Sequence, residues 1–388
     1  MNRYVIYGTG NIGTMIARML RKINVDFALT DSNPNLWEKI VEGERVIPSV
    51  ELLKHLNNCT LVICVNEIQE KAFICYMSRY TRTIGWKELI DDLVNCYEEK
   101  GILYNTNYNE NFKKWWFGLR SEIEFWEDSY AVPNARKHDR YQQLIDNVNF
   151  EDEFLNTDFL HTGAKVVDVG SGIVSRYGNK WKNGTVELIA VDPLAFWYNE
   201  FNHKYNEHFL KKDIKFGLFE ELAYTFENKS IDLIIISNAL DHCIDPYLCI
   251  LQAMKILKIG GKLYIKSLRR ESCNEKCLGL HQWNIDINKK DDFVIWNADA
   301  FVNVTKAMRG ICDFTISKYD ADERGLSGNW GFITIEMEKK KEMFDIEEKN
   351  NELTSICREV FGRIVNNGQY KDDSVWKYEY EKNIKKIL

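Results

Sequence analysis

Short apolar runs, each closed by a glycine or an acid and followed by apolar residues at helical spacing, recur along this chain from its first residues. "RYVIY" reads as a first strand, and "TMIARMLRKI" after the turn "GTGNIG" carries a helix's period. A second run, "VDFALTD", ends at Asp31. The alternation continues through "RVIPS", a helix around "VELLKHL", the strand "CTLVICV" and a helix beginning near Glu67. Strands alternating with helices predict a small doubly wound parallel sheet over residues 1–100. The pattern restarts at "AKVVDVG" and passes through "VELIAVD", a short strand in "IKFGLFEEL" and the almost wholly apolar "SIDLIIIS". A helix in "LQAMKIL", a Gly-Gly turn and "KLYIKS" follow, and "FTISKYDADERGLSGNWGFITIEME" has the look of a closing hairpin. The fold class is therefore α/β with two sheet domains, at 1–100 and 159–340. An aromatic helical linker that caps the substrate spans 101–158, and a charged helical tail spans 341–388.

Composition narrows the function classes. The chain has 388 residues, 45% hydrophobic and 28% charged, ordinary values for two globular domains. A formal net charge of -7 argues against a groove that tracks nucleic-acid phosphates. No run of eighteen apolar residues suggests a membrane span, and the N-terminus enters a strand without a signal-peptide pattern, so a cytoplasmic protein is expected. The ten cysteines are scattered, Cys64 inside an apolar strand among them, which fits a reducing compartment. Cys273, Cys277 and His281 stand four residues apart and would share a helix face, but no fourth ligand is evident and Gly279 weakens the helix. No metal site is assigned from that spacing.

The first glycine turn, Gly8, Gly10, Asn11, Ile12 and Gly13, matches G-x-G-x-x-G, and Asp31 lies eighteen residues past Gly13. Small residues let backbone approach a pyrophosphate, free N–H groups at the helix start attract it, and an acid receives ribose hydroxyls. A turn kept only for packing satisfies the same pattern. "DSNP" and "VIPSVELL" resemble the N-terminal domains of sugar N-acetyltransferases over residues 1 to about 80. That resemblance implies a nucleotide or nucleotide-sugar ligand as readily as NAD(P). No Tyr-x-x-x-Lys pair for hydride transfer follows within the domain.

The second glycine turn is more specific. Asp168, Gly170, Ser171 and Gly172 close one strand, and Asp192 with Pro193 closes the next, twenty residues beyond Gly172. Leu218, Phe219 and Glu220 follow the third strand, and Ser237 and Asn238 end the fourth. This order resembles the class I S-adenosylmethionine-dependent methyltransferases, seven-stranded Rossmann-like enzymes, over about residues 160–340. The resemblance implies S-adenosylmethionine as cofactor. Gly170 and Gly172 suit close approach to its methionine moiety, Asp192 its ribose, and Leu218 with Phe219 an adenine slot, while Glu220 could equally cap its helix. Val174 stands where a third glycine often follows in that family. The variant "VGSG-x-x-S-x-x-G" before "VDPLA" is similar to methyltransferases of bacterial polysaccharide and surface-glycan genes, with Ser171 and Ser175 shaping the loop. It implies a sugar, nucleotide-sugar or glycan-precursor acceptor.

His242 in "NALDHCIDP" and His281 in "GLHQW" are the candidate general bases, since imidazole accepts protons near neutrality. A histidine that merely orders its own loop is the simpler reading of His242. Glu122, Trp126, Arg269 (or Arg270) and Trp283 are candidate substrate contacts. The expected partner is a small molecule, with no nucleic acid and a homo-oligomer left open. The alternatives are an NAD(P)-dependent oxidoreductase acting through the first domain and a non-catalytic nucleotide-binding protein.

Overall fold

A computed structural model describes residues 3–104, 106–182, 184–320, 330–343 and 352–388. The chain divides into two compact units, one of residues 1–106, 272–277 and 286–303, the other of 107–271, 278–285 and 304–388. No sequence pattern announced that 272–277 and 286–303 belong with the first unit, because local periodicity does not say which core a segment joins.

In the first unit a six-stranded sheet runs Ile40–Val41, Glu44–Pro48, Phe27–Asp31, Arg3–Tyr7, Cys59–Ile63, Arg82–Gly85. All neighbours are parallel except the first pair. Phe27–Asp31 and Cys59–Ile63 are buried throughout, as strands covered on both faces are, and they are mostly apolar. Helix Asn11–Lys22 buries Ile12, Met15, Ile16, Met19 and Leu20, the stripe its spacing foretold. The helix expected around "VELLKHL" is instead a 3-10 segment, Ser49–His55. Only Leu52 of that segment is buried, so no apolar stripe holds full α-helical turns. Helix Glu67–Met77 forms where expected, and helix Trp86–Glu99 follows the last strand.

The second unit is built on a seven-stranded sheet in the order Lys215–Phe216, Glu187–Asp192, Lys165–Val169, Ile231–Ser237, Leu257–Leu268, Phe332–Lys339, Cys312–Tyr319. The first five are parallel and the last two antiparallel, so the closing hairpin is present. Its tip, residues 321–329, lies outside the described residues. The Gly-Gly turn expected before the fifth strand lies within it: the strand starts at Leu257, and the pairing register shifts between Ile231 and Leu233 opposite it. Gly260 takes the left-handed conformation this needs.

One face of the sheet is covered by helices Tyr108–Trp126, Ala195–Tyr205, Glu352–Asn366 and Asp373–Glu379. Trp116, Trp197, Phe361 and Trp376 meet there. The charged, helical C-terminal tail puts Cys357, Val360, Phe361 and Ile364 into a core. Residues 344–351, also read as helical, lie outside the described residues. The strand order reverses between Lys165–Val169 and Ile231–Ser237, and ligands of open α/β sheets bind at the carboxyl ends of strands at such a reversal.

Candidate functional site

At that reversal lies a cavity of about 100 Å³, partly open to solvent. The strand Lys165–Val169 delivers Gly170 and Gly172, both in the left-handed region. A Cβ on Gly170 would collide with that of Ala239, and one on Gly172 would lie 3.0 Å from the Trp126 ring. The neighbouring strand delivers Asp192, whose Oδ2 accepts from the Gly172 N–H (3.1 Å) and Oδ1 from the Leu194 N–H (2.8 Å). The acid therefore ties the glycine turn to the second strand while its carboxylate lines the cavity. Burial pushes its pKa up to about 7. Pro193, Leu194, Leu218 and Phe219 supply apolar wall.

Glu220 also lines the cavity, but its Oε1 accepts from the Ile244 (2.7 Å) and Asp245 (3.1 Å) N–H groups and so holds the loop after the fourth strand. Burial raises its pKa to about 7. Asn238 lines the cavity from the end of that strand, in the left-handed conformation, with its Oδ1 accepting from the Leu268 N–H (2.9 Å). Asp168, Ser171 and Ser237 are not among the lining residues. The Asp168 carboxylate instead accepts the Ser175 hydroxyl at 2.6 Å, and burial raises its pKa to about 6.

Helix Tyr108–Trp126 closes another side with Trp115, Leu119, Glu122 and Trp126. These positions recur at steps of four, three and four and so share one face. Sequence reasoning singled out only Glu122 and Trp126, although the spacing implicated Trp115 and Leu119 as well. The Trp126 indole N–H donates to Glu122 Oε1 at 2.8 Å. Tyr198, Ala239, Cys243 and Leu280, also missed, complete the wall with His242. No lysine or arginine lines this cavity among the described residues, whereas Glu122, Asp192 and Glu220 do.

His242 and His281 are brought together, with His242 Nε2 3.2 Å from His281 Nδ1 and the latter 2.7 Å from Asp241 Oδ2. Burial alone would raise the Asp241 pKa, yet the adjoining histidines hold it below the usual carboxylate range. Trp283 is fully buried and donates its indole N–H to the Cys243 carbonyl (3.0 Å); it positions the loop and does not face the cavity. Arg269 and Arg270 are buried and do not line the cavity either, the Arg270 guanidinium lying over the Trp330 ring. The helical face expected for Cys273, Cys277 and His281 does not form. The helix ends at Asn274, and Lys276, Cys277 and Gly279 all take positive φ.

In the first unit, Gly8 and Gly13 are required by the turn itself: a Cβ on Gly8 would lie 2.5 Å from the Cys64 carbonyl oxygen, and one on Gly13 would collide with the Gly8 carbonyl. Gly10 alone of the three faces open space, one residue before the helix that begins at Asn11 and Ile12. Asp31 turns back on the same turn, with Oδ2 accepting from the Thr9 N–H (2.7 Å) and hydroxyl (2.9 Å) and Oδ1 from the Asn33 N–H (2.8 Å).

Residues 167–265 match the family model "Methyltransferase domain". A tRNA U34 carboxymethyltransferase from a Sulfurovum species is 30% identical over 92 residues, 24% of this chain. The chain spans about 30% of that relative's length. Among solved structures, a SAM-dependent methyltransferase from Thermotoga maritima, described as a possible histamine N-methyltransferase, shares 20% identity at a TM-score of 0.33, covering 47% of this chain and 84% of its own. The N-methyltransferase NodS from Bradyrhizobium japonicum, solved with S-adenosylhomocysteine, shares 11% identity at a TM-score of 0.31, covering 46% of this chain and 80% of its own. Over residues 167–265 the chain is thus similar to methyltransferase domains.

Proposed function

We propose that this protein transfers a methyl group from S-adenosylmethionine to a small-molecule acceptor. The observation that carries this reading is the cavity at the sheet's reversal point, walled by a glycine turn, by Asp192 and by two further acids, with no lysine or arginine among its described lining residues. A dinucleotide pyrophosphate would meet carboxylates there. S-adenosylmethionine, which has no phosphate and whose sulfonium and ammonium outweigh its single carboxylate, matches that charge. When bound it supplies an electrophilic methyl group on a good leaving group.

The chain's own residues have separable tasks. Gly170 and Gly172 admit the methionine part, Asp192 accepts from the ribose hydroxyls, and Leu218 and Phe219 flank the base. Trp115, Leu119 and Trp126 keep water out of the cavity. His242, the histidine on the wall, marks the acceptor's end, and with His281 it handles the proton that a hydroxyl or amine acceptor gives up. Alignment contributes most to such a transfer. The acceptor class we favour is an uncharged hydroxyl-bearing molecule such as a sugar or surface-glycan precursor. A nucleotide-sugar would have to keep its phosphates outside the acidic wall. The curated relative's name refers to tRNA; a net charge of -7 and the acidic cavity favour a small acceptor over a polyanion. A nucleotide or NAD(P) in the first unit, at Gly10 and the start of helix Asn11–Lys22, is a separate part of the proposal.

Calorimetry with S-adenosylhomocysteine tests the core of the reading. One-site binding that Gly172→Val abolishes is the expected result. No binding by the wild-type protein at millimolar ligand would overturn it.

A further inference from the structure

The Asp241–His242–His281 cluster gathers a carboxylate and two imidazoles at one point. Three potential ligand atoms converge: His281 Nδ1 lies 2.7 Å from Asp241 Oδ2 and 3.2 Å from His242 Nε2, and the remaining edge, Asp241 Oδ2 to His242 Nε2, is 3.6 Å. A single proton on Nδ1 of His281 satisfies the short contact and is at best shared with the second, while the third edge exceeds hydrogen-bond length. A cation with ligands at about 2.0–2.1 Å in tetrahedral array separates neighbouring donors by about 3.3 Å. The three observed edges bracket that value.

Other features fit a bound cation. Asp241 is buried, whereas the two imidazoles keep 19% and 27% of their side-chain surface. The cluster is therefore buried on its carboxylate side and partly exposed on its imidazole side, as a site with three protein ligands commonly is. The segments carrying the ligands are tied together by the Gln282 N–H donating to the Asp241 carbonyl (3.2 Å) and the Trp283 indole N–H donating to the Cys243 carbonyl (3.0 Å). Such bonds fix ligand orientation. His242 also lines the methyltransferase cavity, so the imidazole side adjoins the acceptor's end.

We infer that Asp241, His242 and His281 together bind one divalent transition-metal ion, zinc being the natural match to a two-imidazole, one-carboxylate donor set. The ion adjoins the acceptor's end of the cavity and offers its open position to an acceptor hydroxyl, which it acidifies so that the proton leaves to solvent; in the metal-loaded protein this takes the place of proton transfer to the two imidazoles, whose nitrogens are then ligands. This rests on the proposed methyl transfer for its purpose but not for its detection.

Protein stripped with chelator and titrated with Co²⁺ is expected to develop visible d–d absorption of a four- or five-coordinate site at one equivalent. Zn²⁺ should bind with the same stoichiometry by calorimetry and displace the cobalt signal. His281→Ala and His242→Ala should each lose the cobalt spectrum and weaken Zn²⁺ at least about tenfold, while His203→Ala, on an exposed helix end, changes neither. Far-ultraviolet circular dichroism and a cooperative melt of each variant show that it is folded. If a variant does not fold, the wild-type cobalt spectrum and its loss in the corresponding glutamine variant decide the question. Absence of a one-equivalent cobalt spectrum in wild-type protein, or the same spectrum in His281→Ala, overturns the inference. Cofactor binding without metal binding removes the metal site and leaves the proposed methyl transfer standing. Metal binding without cofactor binding does the reverse.

Discussion

Replacing Asp192 with Asn separates the two consequences of burying a carboxylate at a ligand site. The ordinary aspartate value of 3.8 is raised by burial to about 7 in the fold. Between about pH 4 and 7 the folded chain therefore holds a proton that the unfolded chain has released, so stability falls as pH rises through that window and the loss is complete above pH 7. The difference corresponds to on the order of 4 kcal/mol, an upper bound on what neutralising this side chain could return. Asn keeps one carbonyl acceptor for Gly172 N–H or Leu194 N–H and loses the other, so part of that gain is offset. Ligand-free Asp192→Asn should thus melt at or above the wild-type temperature at pH 8. Its affinity for S-adenosylhomocysteine should fall by about 1–3 kcal/mol, roughly five- to 150-fold, through lost charge-assisted hydrogen bonds to ribose. Wild-type affinity should weaken about tenfold from pH 8 to pH 6 as the carboxylate protonates, whereas the variant's should stay flat. Calorimetry and scanning fluorimetry across pH 5.5–8.5 read both effects. A variant that binds as tightly as wild type, or keeps the same pH slope, refutes the ribose assignment.

Other substitutions probe neighbouring parts of the argument. Glu122 raises the Asp192 pKa by like-charge repulsion, so Glu122→Gln should move the midpoint of the affinity–pH curve to lower pH while preserving the acceptor for Trp126; an unmoved midpoint would show that the two carboxylates do not interact. Gly170→Ala forces a side chain into the left-handed region against Ala239 and should cost about 1–3 kcal/mol in urea denaturation, with unchanged stability counting against the tight turn. Gly10→Val in the first unit should leave S-adenosylhomocysteine affinity unchanged and abolish NAD(P) or nucleotide binding there if fluorescence titration detects any in wild type.

The strands were legible because buried parallel strands must be apolar along their whole length, and Cys59–Ile63 and Ile231–Ser237 are nearly so. The glycine turns were legible because a tight strand-to-helix turn tolerates little else, as the environments of Gly8, Gly13 and Gly170 illustrate. Asp192 could be placed on the cavity wall because strand ends are fixed by the same pattern. Side-chain partners were not legible. That Asp168 spends an oxygen on Ser175, that Asp31 folds back onto Thr9 and that Trp283 turns inward follow from contacts outside any local period.

What the sequence by itself determined was the succession of strands, helices and turns, since each depends on residues within one or two turns of backbone. What only the tertiary structure decided was convergence. His242 and His281 are thirty-nine residues apart and become neighbours because separate loops pack together, as Trp283 and Gln282 show. The charged C-terminal tail contributes to a core because its apolar face meets Trp116 and Trp197. Local periodicity records which face of an element is apolar; which partner it meets is settled by burial and shape over the whole chain.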